Sequence, residues 1–494
     1  MKLFSILLFF VHLFVPLHTI MTIITVVLGY FALLFAFSRW TGRKATNDTF
    51  FRADRRSPWY MVAFGMVGAS ISGVTFVSVP GMVMKTQMTY LQTCMGFILG
   101  YAVVAFVLLP LYYRLNLTSI YTYLGQRLGQ RAYRTGAWFF LLSKMTGAAV
   151  KFYVVCMILQ RFVFEEMGVP FWATVTVLVL LIWLYTRQGG IKTLVMTDTV
   201  QTLCLLTALL LIIYKVVSGV GMTVGEAIQA VADSPMSRVF VFDDWLSPQH
   251  FWKQFLSGAF IVIVMTGLDQ DMMQKNLTCR TLREARKDMC SYGVAFVPVN
   301  LLFLSLGVLL TMTGISATGD NLLPAYIQGV ADYPLTVMFV LGIVAASFST
   351  ADSALTSMTT CYCIDIRQRP ADESLRKRVH LLMCLVFVLF ILLFRLVNST
   401  SLLDAIYIMV GYTYGPLLGL FAFGLFTRKM PCDGLVPYVC VASPLLCYGA
   451  DLLARMLWDY HFGYELLMFN GLLTFTGLWL SSRYTRSVEC QTPS

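Results

Sequence analysis

The chain has 494 residues, of which 58% are hydrophobic and 12% charged, whereas a soluble domain runs at about 45–50% apolar and about 25% charged. Hydrophobic runs of about 18 residues or more recur from end to end, each long enough to cross a bilayer core of about 30 Å, and no hydrophilic stretch leaves room for a separate soluble domain. The net charge of +11 gathers on alternate loops, which is the positive-inside pattern, so it marks topology and excludes a nucleic-acid patch.

In chain order, residues 1–20, "MKLFSILLFFVHLFVPLHTI", read as a signal-like segment or a start called too early, since Met21 opens its own apolar run. Thirteen spans follow, near 22–40, 57–82, 90–112, 135–160, 168–186, 191–217, 251–268, 289–315, 335–364, 378–397, 401–426, 433–455 and 464–481. The basic segment "RWTGRKATNDTFFRADRR" and its alternates are expected inside the cell, while "RFVFEEMG", "VFDDWLSP" and "ATGDNLLPAYIQGVADYP" are expected outside. This places the N-terminus outside and the tail, residues 483–494, in the cytoplasm. The short loops and short tail suggest a bacterial inner membrane. Cys361 and Cys363 form a lone CxC and read as small buried hydrophobes. The sequons at Asn47, Asn116 and Asn276 face the cytoplasm in this topology, and the one at Asn398 lies tight against the outer surface.

One span precedes, and two follow, a ten-helix core at 57–426. That core divides into five spans at 57–217 and five at 251–426, so the halves cross the membrane in opposite senses. Transporters built from such inverted repeats carry their sites near the midplane, where the first helix of each repeat is broken. "GMVGASISGVTFVSVPG" (Gly65–Gly81) has the glycines and proline for a break. Its small residues also suit close helix packing.

"ASFSTADSALTS" (Ala346–Ser357) brings hydroxyls and one carboxylate into an apolar span. On a helix Ala346, Ser349, Thr350 and Ser353 share a face, with Asp352 beside them. Oxygen ligands in that setting suit a hard monovalent cation such as Na⁺, although such hydroxyls also bond back to their own helix. An unpaired carboxylate in a span costs at least about 2.5–3.5 kcal/mol, which favours a functional Asp352. Asp198, in "GGIKTLVMTDTVQT", is a second intramembrane carboxylate. The two could share a cation or a proton.

Over almost all of residues 21–482 the chain resembles the sodium/solute symporter family, which includes sodium-coupled glucose, proline, iodide, pantothenate and sialic-acid carriers. The matching motifs are "ASISGVTFVSVPG", "LPLYYRLNLTSIYTYLGQRLG", "YTRQGGIKTLVMTDTVQ", "GLDQDMMQKNLTCRTLREARKD", "FSTADSALTS" and "GYTYGPLLGLFAFGLFTRK". Their order and spacing together carry the resemblance. It implies an all-α fold of the leucine-transporter type, with the ten-helix core as two inverted five-helix repeats. It also implies a sodium site built from the carbonyls of Gly68, Ile71 and Ala346 and the hydroxyls of Ser349 and Thr350. Some members bind a second sodium ion, and that pattern falls here on Asp198, Ser349, Asp352 and Ser353. Asp352 stands where some of those members have a hydroxyl, so the carboxylate could hold a proton instead.

The same fold would line the substrate site with Gly73, Thr75 and Phe76 of the broken helix. Met265, Thr266, Asp269 and Gln270 would come from the sixth core helix, and Tyr412 and Tyr414 from "GYTYGP". Either tyrosine could stack on a substrate ring or simply pack. Lys144 lies about 14 Å into its span at about 1.5 Å per residue, near the midplane. Its ammonium needs an anion there, from a substrate or from a carboxylate of the protein. Lys151 shares its face but can snorkel outward. The charged run "GLDQDMMQKNLTCRTLREARKD" reads best as an ion-paired, solvated loop at a cytoplasmic helix end, with inner gating as the other reading.

The expected activity is sodium-coupled symport of a small organic solute by alternating access. Anionic solutes (a sugar acid, a carboxylate, a vitamin, an amino acid) are among the candidates. Na⁺ is the coupling ion and only metal, the bilayer is the medium, and no other cofactor is expected. Proton coupling through Asp198 and Asp352 is the alternative. The chain carries no GxxxxGK[ST] loop, HExxH or GxSxG, so neither ATP-driven transport nor an enzyme is expected. A transporter-like solute sensor would need a signalling domain beyond this tail.

Overall fold

The computed structural model describes residues 21–40, 47–330, 332–397, 402–460 and 462–489. The signal-like segment 1–20, the end of the tail and the Asn398 sequon lie outside the described residues. The membrane-crossing helices are α1 (Met21–Trp40), α2 (Trp59–Ser70), α3 (Gly73–Thr86), α4 (Tyr90–Arg114), α5 (Gln130–Phe164), α6 (Phe171–Arg187) and α7 (Gly190–Gly219). They continue with α8 (Phe251–Gly267), α9 (Gln270–Asn276), α10 (Leu282–Thr311) and α11 (Pro334–Ile366). Last come α12 (Glu373–Val397), α13 (Leu402–Thr413), α14 (Gly415–Phe426), α15 (Val436–Trp458) and α16 (Leu466–Glu489).

Three pairs are single spans broken in the middle, bent by 59° (α2–α3), 69° (α8–α9) and 44° (α13–α14). Counted that way, eleven spans among the described residues are long and apolar enough to cross a membrane, and α6, a shorter apolar helix, and α16 occupy the two remaining hydrophobic runs. Between α2 and α3 the backbone of Ile71 and Ser72 is extended, with ψ of 97° and 174°. The carbonyls of the last α2 turn are therefore left without the next turn's N–H groups. Between α8 and α9, Asp269 accepts from the N–H groups of Asp271 (2.8 Å) and Met272 (3.4 Å), so a carboxylate caps the second half-helix. Breaks open both five-span sets, 59–219 and 251–426. Because five is odd, the two sets run through the bilayer in opposite senses.

Small residues decide which helices meet. A Cβ on Gly68 would lie 1.9 Å from Thr202 Oγ1, and one on Gly65 would lie 2.9 Å from Asp198 Cβ. The broken helix therefore rests directly on α7, and the glycine-rich stretch serves both close packing and the break. At Gly190 φ is +51°, a conformation that glycine adopts without steric cost, and it turns the chain from α6 into α7. α11 packs between α5 and α7 and is buried along nearly its whole length. It therefore has no lipid-facing side on which its hydroxyls could be wasted.

Candidate functional site

The residues predicted to hold sodium meet at the α2–α3 break. Thr350 Oγ1 donates to the carbonyl of Ala69 (3.1 Å) and to that of Ala346, one turn back (3.2 Å). α11 is thus seated against the last turn of α2, beside Gly68 and Ile71, and all five residues are buried. The groups available there are carbonyl and hydroxyl oxygens, the donor set by which unwound helices coordinate Na⁺.

A second buried cluster adjoins it. Ser349 Oγ donates to Asp198 Oδ1 at 2.6 Å, and Asp198 Oδ2 lies 2.8 Å from Lys275 Nζ. Tyr185 donates to Asp352 Oδ2 at 2.6 Å. Asp352 Oδ1 and Ser353 Oγ are buried with no hydrogen-bond partner among the described residues. Asp352 also lies within the field of Asp198 and Lys275. The structure therefore brings Asp198, Ser349, Asp352 and Ser353 into one neighbourhood, together with a lysine ammonium that the sequence reading did not place there.

Lys275 belongs to the stretch read as a solvated loop, and here the structure corrects the sequence. Gln270–Asn276 is a short helix with every residue buried. Most of its polar side chains find partners within the protein. Gln270 accepts from the Ile120 N–H and donates to the Thr118 carbonyl, both at 2.9 Å. Gln274 donates to the Phe51 carbonyl (2.8 Å) and Thr360 Oγ1 (3.1 Å), and Asn276 to Asp288 (2.5 Å). The signal that could have found Lys275 is Asp198 itself, since a carboxylate so deep in a span calls for a cation.

Beside α9 lies a cavity of about 110 Å³ lined by residues of α2, α3, α4, α5, α8, α9, α10, α11 and α13. Lys144 points into it and is paired with Asp271 (2.6 Å) and Asp269 (3.1 Å). Asp269 also accepts from the Tyr414 hydroxyl at 2.6 Å. Lys144 has thus found its anion in the protein. Lys151, two turns on, lines the same cavity and has no ion-pair or hydrogen-bond partner among the described residues. Asp271 Oδ1 is likewise an acceptor with no donor there.

Of the substrate residues proposed from sequence, Thr75, Lys144, Met265, Thr266, Asp269 and Tyr414 line this cavity; Gly73, Phe76, Gln270 and Tyr412 do not. Phe76 packs edge-on against Phe303 at 5.0 Å, and Gly73 lets Ser347 approach. Tyr412 faces Tyr448, because the break at Tyr414 turns α13 and α14 away from one another. Tyr90, Tyr101, Tyr292 and Tyr407 line the cavity without having been singled out. Tyrosines scattered over three helices leave no local pattern.

Residues 50–436 match the Sodium:solute symporter family, and the chain belongs to it. It is therefore a multi-pass membrane transporter and not an enzyme. It is 24% identical over 462 residues to the sodium/sialic acid symporter SiaT of Proteus mirabilis, covering 86% of this chain and 90% of the relative. It is also 24% identical over 415 residues to the human sodium/iodide cotransporter, covering 80% of this chain and 63% of that one. The sodium-dependent multivitamin transporter of Oryctolagus cuniculus is 27% identical over 416 residues, with coverage of 79% and 63%. Among solved structures, the substrate-bound outward-open state of a Na⁺-coupled sialic acid symporter superposes with a TM-score of 0.79 at 20% identity, covering 94% of this chain and 98% of that one. The nucleobase-cation-symport transporter Mhp1 superposes at 0.57 with 13% identity, over 89% and 95% of the two chains. These two establish the fold, a ten-helix core of paired five-helix repeats.

Proposed function

We propose that this protein imports a small carboxylate-bearing solute with Na⁺, by alternating access. The observation that carries the proposal is the ammonium of Lys151, which lines the cavity with no ion-pair partner of its own while Lys144 holds both Asp269 and Asp271. A cation within a span is costly unless an anion touches it, and a substrate carboxylate would give Lys151 that direct partner. Asp271 Oδ1 would accept from a hydroxyl or amine of the same solute. A hydroxylated or amino-bearing acid therefore suits the cavity better than a bare one, and the sialic acid named for two relatives belongs to that class.

On this reading Na⁺ binds among the carbonyls of Gly68, Ile71 and Ala346 and the hydroxyls of Ser349 and Thr350. The free oxygens of Asp352 and Ser353, next to Asp198 and Ser349, serve as a second monovalent-cation site. The transport unit is residues 21–482, with repeats at 57–217 and 251–426, in an inner membrane with its N-terminus outside and its tail inside. The comparisons lend no support to proton coupling or to a sensor. The test is uptake of labelled acidic solutes by Lys151→Met in proteoliposomes under an inward Na⁺ gradient. Lost uptake with normal insertion is expected, and undiminished uptake of an acid would overturn the reading.

A further inference from the structure

The first turns of α10 carry three cations on one face. Arg283, Arg286 and Lys287 stand at i, i+3 and i+4, and with Leu282, Cys290 and Phe106 of α4 they line a groove of about 550 Å³. No acidic residue lines it. The acids nearest in sequence turn elsewhere: Glu284 accepts from the backbone of Arg280 at 3.2 Å, and Asp288 is buried against Asn276. Two of the three cations are held in place. Arg286 donates through Nε to the Ala105 carbonyl (3.2 Å), in the π-helical turn Val104–Leu108, and its guanidinium lies 5.4 Å over the Phe106 ring. The Lys287 ammonium lies 5.7 Å from the Trp59 ring. Arg283 has no ion-pair or hydrogen-bond partner among the described residues.

Beneath these charges the surface is apolar and open to the bilayer. Val294 and Leu301 continue the same stripe of α10 at seven-residue steps, and Phe106, Val107 and Leu99 are exposed on α4. Positive-inside bias accounts for cations at a helix end. It does not account for a shallow, open groove with three unneutralised cations above an exposed acyl-length strip. That pairing is the shape of one molecule, with an anionic phosphate at one end and hydrocarbon at the other.

We propose that the groove between α4 and α10 binds an anionic phospholipid, its phosphate on Arg283, Arg286 and Lys287 and its chains along Phe106, Val294 and Leu301. Basic clusters at the membrane surface recognise such headgroups at roughly 1 kcal/mol per cation. The site is also placed to matter. α4 carries Tyr101 and α10 carries Tyr292 and Phe296, all three on the central cavity, so a lipid in this seam braces one wall of it.

The experiment is native mass spectrometry of the purified protein with added phosphatidylglycerol, phosphatidylcholine or, as a water-soluble source of the same phosphate chemistry, glycerol phosphate. It is run on the wild type and on Arg283→Gln/Lys287→Gln, a surface change that leaves the core intact. Retention of phosphatidylglycerol over phosphatidylcholine is expected, falling about tenfold or more in the double variant. Equal retention of both lipids, or of phosphatidylglycerol by both proteins, would overturn the proposal. Binding of glycerol phosphate as tight as that of phosphatidylglycerol would make it a free-phosphate site and contradict it as well. A photoreactive phosphatidylglycerol should label Phe106 or Leu282–Cys290, and labelling confined to other helices would also count against it.

Discussion

At the scale of single residues, two lysines two turns apart on one helix have opposite circumstances. Lys144 lies between Asp269 and Asp271, and Lys151 has no such neighbour. Lys144→Met should lower thermal stability, because it leaves two buried carboxylates without their cation, at a cost of about 3–5 kcal/mol. Lys151→Met should leave stability unchanged or raise it, since it removes an ammonium with no direct partner, and should remove acidic solutes from the substrate range. A differential scan beside an uptake assay separates the two, and equal loss of stability in both variants would contradict the assignment. The sequence singled out Lys144 by depth alone. Depth shows that an anion is needed and is silent about whether the protein already supplies it.

Thr350 and Lys275 make the same point about partners. Thr350 links Ala69, at the end of α2, to Ala346 of its own helix, so Thr350→Ala should raise the sodium concentration for half-maximal uptake while the protein still inserts. An unchanged sodium curve would remove it from the site. Lys275→Met should cost about 3–5 kcal/mol by leaving Asp198 unpaired. Adding Asp198→Asn should restore part of that loss, a positive coupling that a double-mutant cycle reads directly. Simple additivity of the two losses would mean that the 2.8 Å pair does not hold in solution.

At the scale of helices, the apolar runs were legible because a bilayer imposes about 20 apolar residues on every crossing helix. The break in "GASISG" was legible from its small residues as well. α9 was not. Its seven residues are as polar as a solvated loop, and only their partners on α7, the Thr118–Ile120 turn and α10 show that the helix is interior. Composition reports residue type, and a buried polar helix differs from a loop only in what it touches. The seam between α2 and α7 follows from Gly65 and Gly68. Gly68→Val would drive a branched side chain into Thr202, whose Oγ1 already sits 1.9 Å from where a Cβ would stand. The expected result is loss of folded transporter, with overpacking of this kind costing about 1–3 kcal/mol or more. Wild-type yield and melting temperature would contradict that packing.

At the scale of the whole molecule, the short helix α9 joins the two sites. Its N-terminal end offers Asp269 and Asp271 to the substrate cavity through Lys144, and its C-terminal end sends Lys275 to Asp198, which holds Ser349. On the proposed site assignments, ion occupancy and solute occupancy would act on one short piece of helix, which is a physical route for the linkage that symport requires. On the opposite side of the cavity, Tyr90 and Tyr407 are hydrogen-bonded at 2.9 Å, and Tyr407 packs on Tyr464 at 4.5 Å. These rings separate the cavity from a larger one of about 900 Å³ that also reaches Tyr90 and Tyr464.

The measurement that tests the central claim most directly is thermal stability of the purified protein with a panel of hydroxylated and amino-bearing acids, each in NaCl and in KCl. A ligand that binds only the folded state raises its stability by about 2.7 kcal/mol at a hundredfold excess over its dissociation constant. The account predicts that at least one acid stabilises the protein strongly in Na⁺ and barely in K⁺, and that Lys151→Met loses this increment. Equal stabilisation in both salts would contradict the coupling assigned to Ser349 and Thr350, and stabilisation by neutral solutes alone would contradict the role of Lys151.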